Sequence, residues 1–245
     1  MERLDQLLQR RGVFSTREQA RRAIMAGIVE VDGMRVDKPG RSVAADANVM
    51  IAGPAEPFVS RGGRKLEAAL DHFEIDPEGW VCLDVGASTG GFTDCLLQRG
   101  ARKVFAIDVG YGQLDYGLRR DPRVEVMERV NARHLERDAL GESCDLATFD
   151  LSFISLVKVV PAIRAHVREG GLLLMLVKPQ FEAGRGEVGK GGIVRDERVR
   201  RKAIARTVVD LETLGLAKLG VFDSPVHGAK GNREAFALFL KESTD

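Results

Sequence analysis

The chain has 245 residues, 44% of them hydrophobic, which is enough for one moderate domain and a small additional module and excludes a fully disordered chain. Its 37 Lys and Arg residues nearly balance its 36 Asp and Glu residues, leaving a formal net charge of +1. A nucleic-acid partner would therefore have to be bound by a local basic surface, because the chain has no global positive field.

The cysteines and the N-terminal sequence indicate the cellular setting. Cys82, Cys95 and Cys144 lie far apart and form no Cys-x-x-Cys pair, so we expect small buried residues in a reducing compartment. The stretch MERLDQLLQRRG lacks the apolar segment of a signal peptide, and the longest apolar run, residues 172–177, is too short to cross a bilayer. We expect a cytoplasmic protein with no membrane contact, and the isolated histidines predict no metal site.

The apolar residues of the N-terminal part change their period along the chain. Leu4, Leu7 and Leu8 fit one face of a helix, and a second helix is predicted after Ser15, a suitable N-cap. Short β-prone runs then alternate with turn signals, including an Asp-Gly pair. We predict a small α+β domain over residues 1–52, which at this size would be marginally stable alone.

A linker is predicted between this domain and the rest of the chain. Residues 52–58 contain two prolines and one glycine and show no periodicity. We therefore place the linker at residues 53–59 and a second domain at residues 60–245.

Beyond the linker, apolar runs alternate with helical patterns. Strands are predicted at residues 81–85, 104–107, 124–127, 146–149, 172–177, 219–222 and 236–240, and helices at 64–73, 92–99, 156–168 and 197–214. This alternation predicts an α/β fold with a doubly wound, mostly parallel seven-stranded sheet and helices on both faces.

The first of these strands runs into a glycine-rich turn. Its glycines would let the backbone pass close to a ligand, but their spacing does not match the G-x-G-x-x-G order of a dinucleotide site. Asp84 before the turn and Asp108 after the next strand favour S-adenosylmethionine, with Asp84 near the methionine ammonium and Asp108 on the ribose hydroxyls. The predicted cofactor contacts are Asp84, Gly86, Ala87, Ser88, Gly90, Gly91, Asp108, Val109 and Asn131.

Four charged residues lie where such a fold concentrates chemistry, at strand ends or in an adjacent loop: Lys65, Asp150, Lys178 and Glu234. A ribose 2′-hydroxyl is a poor nucleophile at neutral pH, so its methylation needs a base or a strong local field. A lysine can act as the base where a neighbouring cation and partial burial lower its pKa. We predict Lys178 as the base and Asp150 as the group that orients it, with the other two residues completing the network.

Four segments resemble the TlyA family: LDVGASTGGFT at 83–93, DVGYGQL at 108–114, DLSFIS at 150–155 and VKPQFE at 177–182. Its members, also called hemolysin-like, are rRNA 2′-O-methyltransferases with a catalytic domain of the FtsJ type. The resemblance covers nearly the whole chain. It implies that S-adenosylmethionine is the methyl donor and that Lys65, Asp150, Lys178 and Glu234 form the Lys-Asp-Lys-Glu tetrad of FtsJ-type enzymes.

The N-terminal domain resembles the RNA-binding domain named after ribosomal small-subunit protein four. The resemblance implies a cytidine in rRNA as the substrate, in a long transcript or an assembled ribosomal subunit. The short C-terminus is similar to that of members that methylate only large-subunit rRNA. The oligomeric state stays open, with a monomer favoured. The predicted RNA contacts are Arg3, Arg10, Arg11, Arg17, Arg21, Arg22, Arg61, Arg64, Arg185 and Lys190.

Three alternative functions stay open. A base-directed RNA methyltransferase would need either a cysteine nucleophile in the cleft, for which Cys82 and Cys144 are poorly placed, or an Asp-Pro-Pro-aromatic run, which Asp-Leu-Ser-Phe matches only in part. A membrane-active hemolysin would need an amphipathic segment that the sequence lacks. A noncatalytic RNA-binding protein would have lost the cofactor loop or the four charged residues.

Overall fold

The chain divides into two compact units, Met1–Glu56 and Pro57–Asp245, in the computed structural model. The structure describes residues 1–25, 27–51, 57–184, 186–189, 191–228 and 231–242. Most of the predicted linker and two predicted RNA contacts, Arg185 and Lys190, lie outside these residues.

The N-terminal unit consists of two helices and two small antiparallel sheets. Its elements are β1 (Glu2–Arg3), α1 (Leu4–Arg10), α2 (Arg17–Met25), β2 (Val29–Val31), β3 (Met34–Val36), β4 (Ser42–Val43) and β5 (Val49–Ile51). Strand β1 pairs with β4, and β2 lies between β3 and β5. The leucines of α1, the apolar face of α2 and the strand valines form a core within this unit, so the predicted α+β architecture is confirmed.

A capping box starts α2, and its first residue is Thr16, one residue after the predicted N-cap Ser15. Thr16 Oγ1 accepts a hydrogen bond from the Gln19 backbone N–H at 3.2 Å, and the Gln19 side-chain oxygen accepts one from the Thr16 backbone N–H at 3.2 Å. These bonds satisfy N–H groups that a helix start leaves unpaired. The prediction of Ser15 as the N-cap is wrong, because Thr16 lies three residues before the glutamine that completes the box.

The second unit is built on one seven-stranded sheet. Its strands are β6 (Val81–Val85), β7 (Lys103–Asp108), β8 (Val124–Glu128), β9 (Cys144–Phe149), β10 (Val167–Val177), β11 (Leu216–Asp223) and β12 (Ala235–Lys241), in the order β11-β12-β10-β9-β6-β7-β8. All pairs from β10 to β8 are parallel, and β12 is antiparallel to both of its neighbours. The predicted mostly parallel seven-stranded sheet is confirmed.

Helices flank this sheet. They are α3 (Gly62–His72), α4 (Gly91–Gln98), α5 (Tyr116–Arg120), α6 (Val160–Arg164), α7 (Pro179–Glu182) and α8 (Glu197–Glu212), with 3₁₀ turns at Ala132–His134 and Leu156–Lys158. The single helix predicted over residues 156–168 is wrong, because a 3₁₀ turn, α6 and the start of β10 share this segment. Pro161 lies in the first turn of α6, where its missing N–H leaves no hydrogen bond of the helix unmade. The proline prevents the preceding 3₁₀ turn and α6 from joining into one continuous helix.

Alternate residues of the central strands face opposite sides of the sheet and two separate apolar cores. Leu83 of β6 lies in one core and Cys82 in the other. The parallel strands end at the same edge of the sheet, and β12 begins there, since Val177 pairs with Ala235. This edge therefore brings the loops after β6, β7, β9 and β10 together with the residue before β12.

Candidate active site

Two of the four predicted catalytic side chains form an ion pair at this edge. Lys178 Nζ lies 2.6 Å from Asp150 Oδ1, and the same ammonium donates a hydrogen bond to Ser152 Oγ at 3.1 Å. Lys178 directly follows β10 and Asp150 directly follows β9, and these strands are parallel neighbours. The pair therefore follows from the strand order alone.

The other two side chains form a second ion pair, which is almost buried. Lys65 of α3 donates to Glu234 Oε2 at 2.6 Å, although the two residues are 169 positions apart in the sequence. The Lys65 side chain is 11% exposed and that of Glu234 is 2% exposed. Gln180 of α7 donates to the other carboxylate oxygen of Glu234 at 3.2 Å, so the helix that starts after Lys178 also holds the second pair.

A cavity of about 230 Å³ connects one member of each pair with the glycine-rich turn, and Lys178 and Glu234 are not part of its lining. Lys65 and Asp150 line it from two sides. The remaining lining residues are Ser60, Arg61, Gly62, Gly86, Ala87, Ser88, Thr89, Gly91, Phe92, His227 and Gly228. The structure thus places an ammonium, a carboxylate and the predicted cofactor loop around one space.

The turn after β6 has a backbone that side chains would obstruct. Gly86 has φ +92°, and a Cβ there would lie 2.8 Å from the Asp150 carbonyl oxygen. Gly90 has φ +96° and is the N-cap of α4, while a Cβ on Gly91 would lie 2.9 Å from the Gly63 nitrogen. The glycines therefore let the turn pack closely against the Asp150 carbonyl and the start of α3, and Gly86 and Gly91 form part of the cavity wall.

Asp84 is fully buried beneath this turn. Its Oδ2 accepts hydrogen bonds from the Thr93 backbone N–H at 2.9 Å and from the Thr93 hydroxyl at 2.6 Å, which fixes the start of α4. Its Oδ1 has no hydrogen-bond partner among the described residues. The pKa of this carboxyl is raised to about 7, chiefly by burial and also by the nearby Asp150 charge, against the lowering effect of the Thr93 hydrogen bonds. Asp84 does not line the cavity itself.

Asp108 ends β7 and links two turns. Its Oδ2 accepts from the Ser88 backbone N–H at 2.8 Å, and its Oδ1 accepts from the Gly110 backbone N–H at 2.7 Å. Each carboxylate oxygen keeps a lone pair for a further donor. The neighbouring Val109 is 70% exposed, and Asn131, also exposed, caps the 3₁₀ turn by accepting from the Arg133 backbone N–H. These residues form a rim beside the loop and do not line the cavity.

A second groove lies next to the Lys178–Asp150 pair. It has a volume of about 400 Å³ and is lined by Arg133, Phe153, Ile154, Ser155, Lys158 and Phe181. Phe153 is 91% exposed, has the strained φ of +65°, and faces the Phe181 ring at a centroid distance of 5.0 Å. A bulky residue held at positive φ and in water is uncommon and is characteristic of functional sites.

The predicted RNA-binding arginines differ in their surroundings. In the N-terminal unit, Arg3 and Arg17 share the buried Asp5 carboxylate, Arg10 pairs with Glu2, and Arg11 donates to two backbone carbonyls. Arg21 is exposed and Arg22 half-buried. In the second unit, Arg61 is exposed at the cavity, whereas Arg64 is half-buried.

Several site residues were not predicted. Ser60, Thr89, Phe92, His227 and Gly228 line the cavity, and Gln180 and Phe181 lie on α7. Thr89 and Phe92 lie inside the motif at 83–93, and Gln180 and Phe181 lie inside the motif at 177–182. Ser60 directly precedes the predicted RNA contact Arg61, so for these residues the neighbourhood was a usable signal. His227 and Gly228 lie in a loop between β11 and β12 with no periodicity, and only the antiparallel return of β12 brings that loop to this edge.

The cysteines do not offer a nucleophile. All three are free and buried, as predicted, and burial raises the pKa of the Cys82 thiol and that of the Cys144 thiol. A ring-carbon methyltransferase needs an accessible thiolate in its cleft. Among the described residues there is also no cluster of three or more side chains suited to a metal ion, and none of their helices could span a membrane.

Each of the two units matches the model of a known protein family. Residues 58–241 match the model of the FtsJ-like methyltransferase family, and residues 2–49 match that of the S4 domain. The chain belongs to the FtsJ-like methyltransferase family. The resemblance inferred from the four motifs is therefore confirmed, and the chain is an enzyme of the methyltransferase class.

Relatives of this FtsJ-like methyltransferase are similar over almost its full length. The 16S/23S rRNA (cytidine-2′-O)-methyltransferase TlyA of Mycobacterium tuberculosis is 46% identical over 99% of this chain and 91% of that protein. Hemolysin A of Brachyspira hyodysenteriae is 40% identical over 97% of this chain and 99% of that protein. A solved structure described as a candidate hemolysin from Streptococcus thermophilus superposes with a TM-score of 0.79 at 42% identity, covering 99% of this chain and 89% of that one.

Asp84 makes the stability of the second unit depend on pH. Because its pKa in the folded protein lies above the ordinary value of 3.8, the folded state holds a proton that the unfolded chain releases between about pH 4 and pH 7. The free energy of unfolding should therefore fall as the pH rises through this window. Asp84→Asn should remove this part of the slope, measured by urea unfolding with the fluorescence of Trp80, the one tryptophan of the chain.

The matched control is Asp76→Asn, which changes an exposed carboxylate on the same unit and should leave the slope as in the unmodified protein. An Asp84→Asn protein with an unchanged slope would mean that Asp84 is ionised throughout this pH range.

Proposed function

We propose that the protein is an S-adenosylmethionine-dependent rRNA methyltransferase that methylates the 2′-hydroxyl of a cytidine ribose. The observation that carries this proposal is the pairing of Lys178 with Asp150 and of Lys65 with Glu234 around the cavity next to the glycine-rich turn. The M. tuberculosis relative bears the name of this activity and is 46% identical over nearly the whole chain, which supports the assignment of the substrate class.

The residues of the turn fit S-adenosylmethionine. The glycine-rich turn and the start of α4 form one wall of the cavity, where a helix N-terminus favours a polar or anionic ligand group, and the lone pairs of Asp108 suit ribose hydroxyls. The unpartnered Oδ1 of Asp84 is a buried acceptor beneath the loop, which an ammonium would satisfy. When bound, the cofactor supplies an electrophilic methyl group on its sulfonium. A dinucleotide is disfavoured by the glycine spacing.

The four charged side chains would prepare the nucleophile. In its neutral form, Lys178 accepts the proton of the 2′-hydroxyl, and Asp150 with Ser152 holds the amine in place. Lys65 presents a fixed positive charge to the cavity, because it is bound to Glu234, which Gln180 in turn holds in place. The two pairs together balance their charges, so the site can be nearly buried without an isolated ion.

The aromatic groove would receive RNA beside this site. Phe153 and Phe181 offer ring faces on which a nucleobase can stack, and Arg133 and Lys158 offer positive charge for the neighbouring phosphates. Ser152, which binds Lys178, is next to Phe153 in the chain. A base stacked there would therefore bring its ribose toward the Lys178 amine.

Cofactor binding is tested at Asp108. Asp108→Ala removes an acceptor for the ribose and releases the Ser88 and Gly110 turns, so S-adenosylmethionine affinity should fall by about ten- to a hundredfold in calorimetry. NADH should not bind to the unmodified protein. Binding of NADH in place of S-adenosylmethionine would contradict the assignment of the cofactor.

The chemical step is tested at Lys178. Lys178→Ala should reduce turnover on rRNA by a factor on the order of 10² to 10⁴, the range for a positioned general base, with nearly unchanged cofactor affinity. Lys178→Arg should not restore turnover, because a guanidinium stays protonated and accepts no proton. The control is Lys218→Ala, at an exposed position of β11, which should leave turnover on rRNA unchanged. Near-normal turnover of Lys178→Arg would leave Lys178 only a positioning role.

The groove is tested at Phe153. Stacking on an aromatic side chain contributes about 1–3 kcal/mol per base, so Phe153→Ala should lower kcat/KM for rRNA about five- to a hundredfold. Cofactor affinity and stability should change little, because the ring is exposed. Phe153→Tyr keeps a ring face and should retain most of the activity. Equal kcat/KM values for Phe153→Ala and the unmodified enzyme would exclude the groove from substrate binding.

A further inference from the structure

The N-terminal unit contains a carboxylate that is fully buried between two exposed arginines. Asp5 is 0% exposed in the first turn of α1, whereas the side chains of Arg3 and Arg17 are 45% and 43% exposed. Arg3 binds Asp5 through two parallel hydrogen bonds of 3.0 Å, and Arg17 Nε binds the same carboxylate at 2.9 Å. Three hydrogen bonds from two guanidinium groups therefore meet on one buried group.

This arrangement differs from the contacts of Arg10 and Arg21 in the same unit. Arg10 pairs with Glu2, whose side chain is 26% exposed, and Arg21 lies 3.9 Å from an exposed Glu18, too far for a hydrogen bond. The backbone N–H of Asp5 also donates to the Pro39 carbonyl at 3.1 Å, which fixes the position of the carboxylate. The guanidinium groups hold the pKa of Asp5 below its ordinary value, so the carboxylate is charged at neutral pH.

The geometry leaves both guanidinium groups able to bind a further acceptor. Asp5 takes two N–H groups of Arg3 and one of Arg17, and a guanidinium has more N–H groups than these, arranged in a planar fork that matches a phosphate. Their long side chains are already ordered, so little conformational entropy remains to be lost when an anion binds. With Asp5 neutralising only one of the two charges, the cluster keeps one net positive charge.

We infer that Asp5 is a positioning residue, which holds the guanidinium groups of Arg3 and Arg17 as one preformed site for an RNA backbone phosphate. This inference rests on the proposed function, because it assigns rRNA as the ligand of the N-terminal unit. Asp5 itself touches no RNA in this arrangement; it acts through the two arginines.

The test uses a contrast in sign. Asp5→Asn removes a negative charge from an RNA-binding surface, so long-range electrostatics alone predicts tighter RNA binding. The positioning role predicts weaker binding, on the order of tenfold, because the guanidinium groups of Arg3 and Arg17 lose the fixed positions in which they bind the phosphate. Binding of the whole protein to transcribed 23S rRNA is measured over a series of salt concentrations. The slope of log K against log salt should become less steep in the Asp5→Asn variant, by the amount that corresponds to the loss of about one phosphate contact.

The matched control is Glu18→Gln, which makes the same charge change on the same unit beside an exposed arginine. It should bind rRNA as tightly as the unmodified protein or more tightly. Because Asp5→Asn could unfold the unit, the double variant Arg3→Lys with Arg17→Lys is a second test: it keeps both charges and loses both forks, and should also bind about tenfold more weakly with a smaller salt slope.

The outcomes separate this inference from the proposed function. If the unmodified protein neither binds nor methylates rRNA, the proposed function fails. If it does both, and a folded Asp5→Asn variant binds rRNA as tightly as Glu18→Gln does, the positioning role of Asp5 is overturned. The positioning role would also be overturned if the double lysine variant bound rRNA with the same affinity and salt slope as the unmodified protein, because two positive charges without the guanidinium fork would then be enough to bind the phosphate.

Discussion

The two ion pairs at the sheet edge are the constraint on which the rest of the catalytic unit depends. Four chargeable side chains, three of them at most 11% exposed, can coexist there because each lies 2.6 Å from a partner of opposite sign. The partners come from α3, from the loops after β9 and β10, and from the start of β12. The strand order, the antiparallel return of β12 and the short helix α7 are all needed to bring these charges into register.

The fold could be predicted well where a repeating pattern carried the information. All seven strands of the large sheet were found from apolar runs, because a buried parallel strand needs a continuous apolar sequence. The Asp-Gly turn was found because its residues, with φ of +51° and +77°, adopt a conformation few others tolerate. The segment at residues 156–168 failed because one apolar period continued through a proline, and α5 and α7 are too short to show any period.

The candidate site could be predicted where function follows from strand ends, and not where it depends on how loops meet. Asp150 and Lys178 terminate neighbouring strands, so their pairing was foreseeable. Gln180 lies in the motif at 177–182, but its hydrogen bond to Glu234 is a tertiary contact that the motif does not indicate. Nothing local to His227 indicates that it lines the cavity. Likewise, Asp5 is one of three acids beside six arginines within residues 1–24, and only its burial distinguishes it.

The position of β12 in the sheet determines when the catalytic unit can complete its folding. This strand follows the other six strands of the sheet in sequence, yet it lies between β10 and β11, and Glu234 immediately precedes it. While the chain is still growing on a ribosome, Lys65 has no carboxylate partner and one side of β10 is unpaired. The second ion pair and the completed sheet therefore cannot form before residues 234–241 have been synthesised and are free to fold.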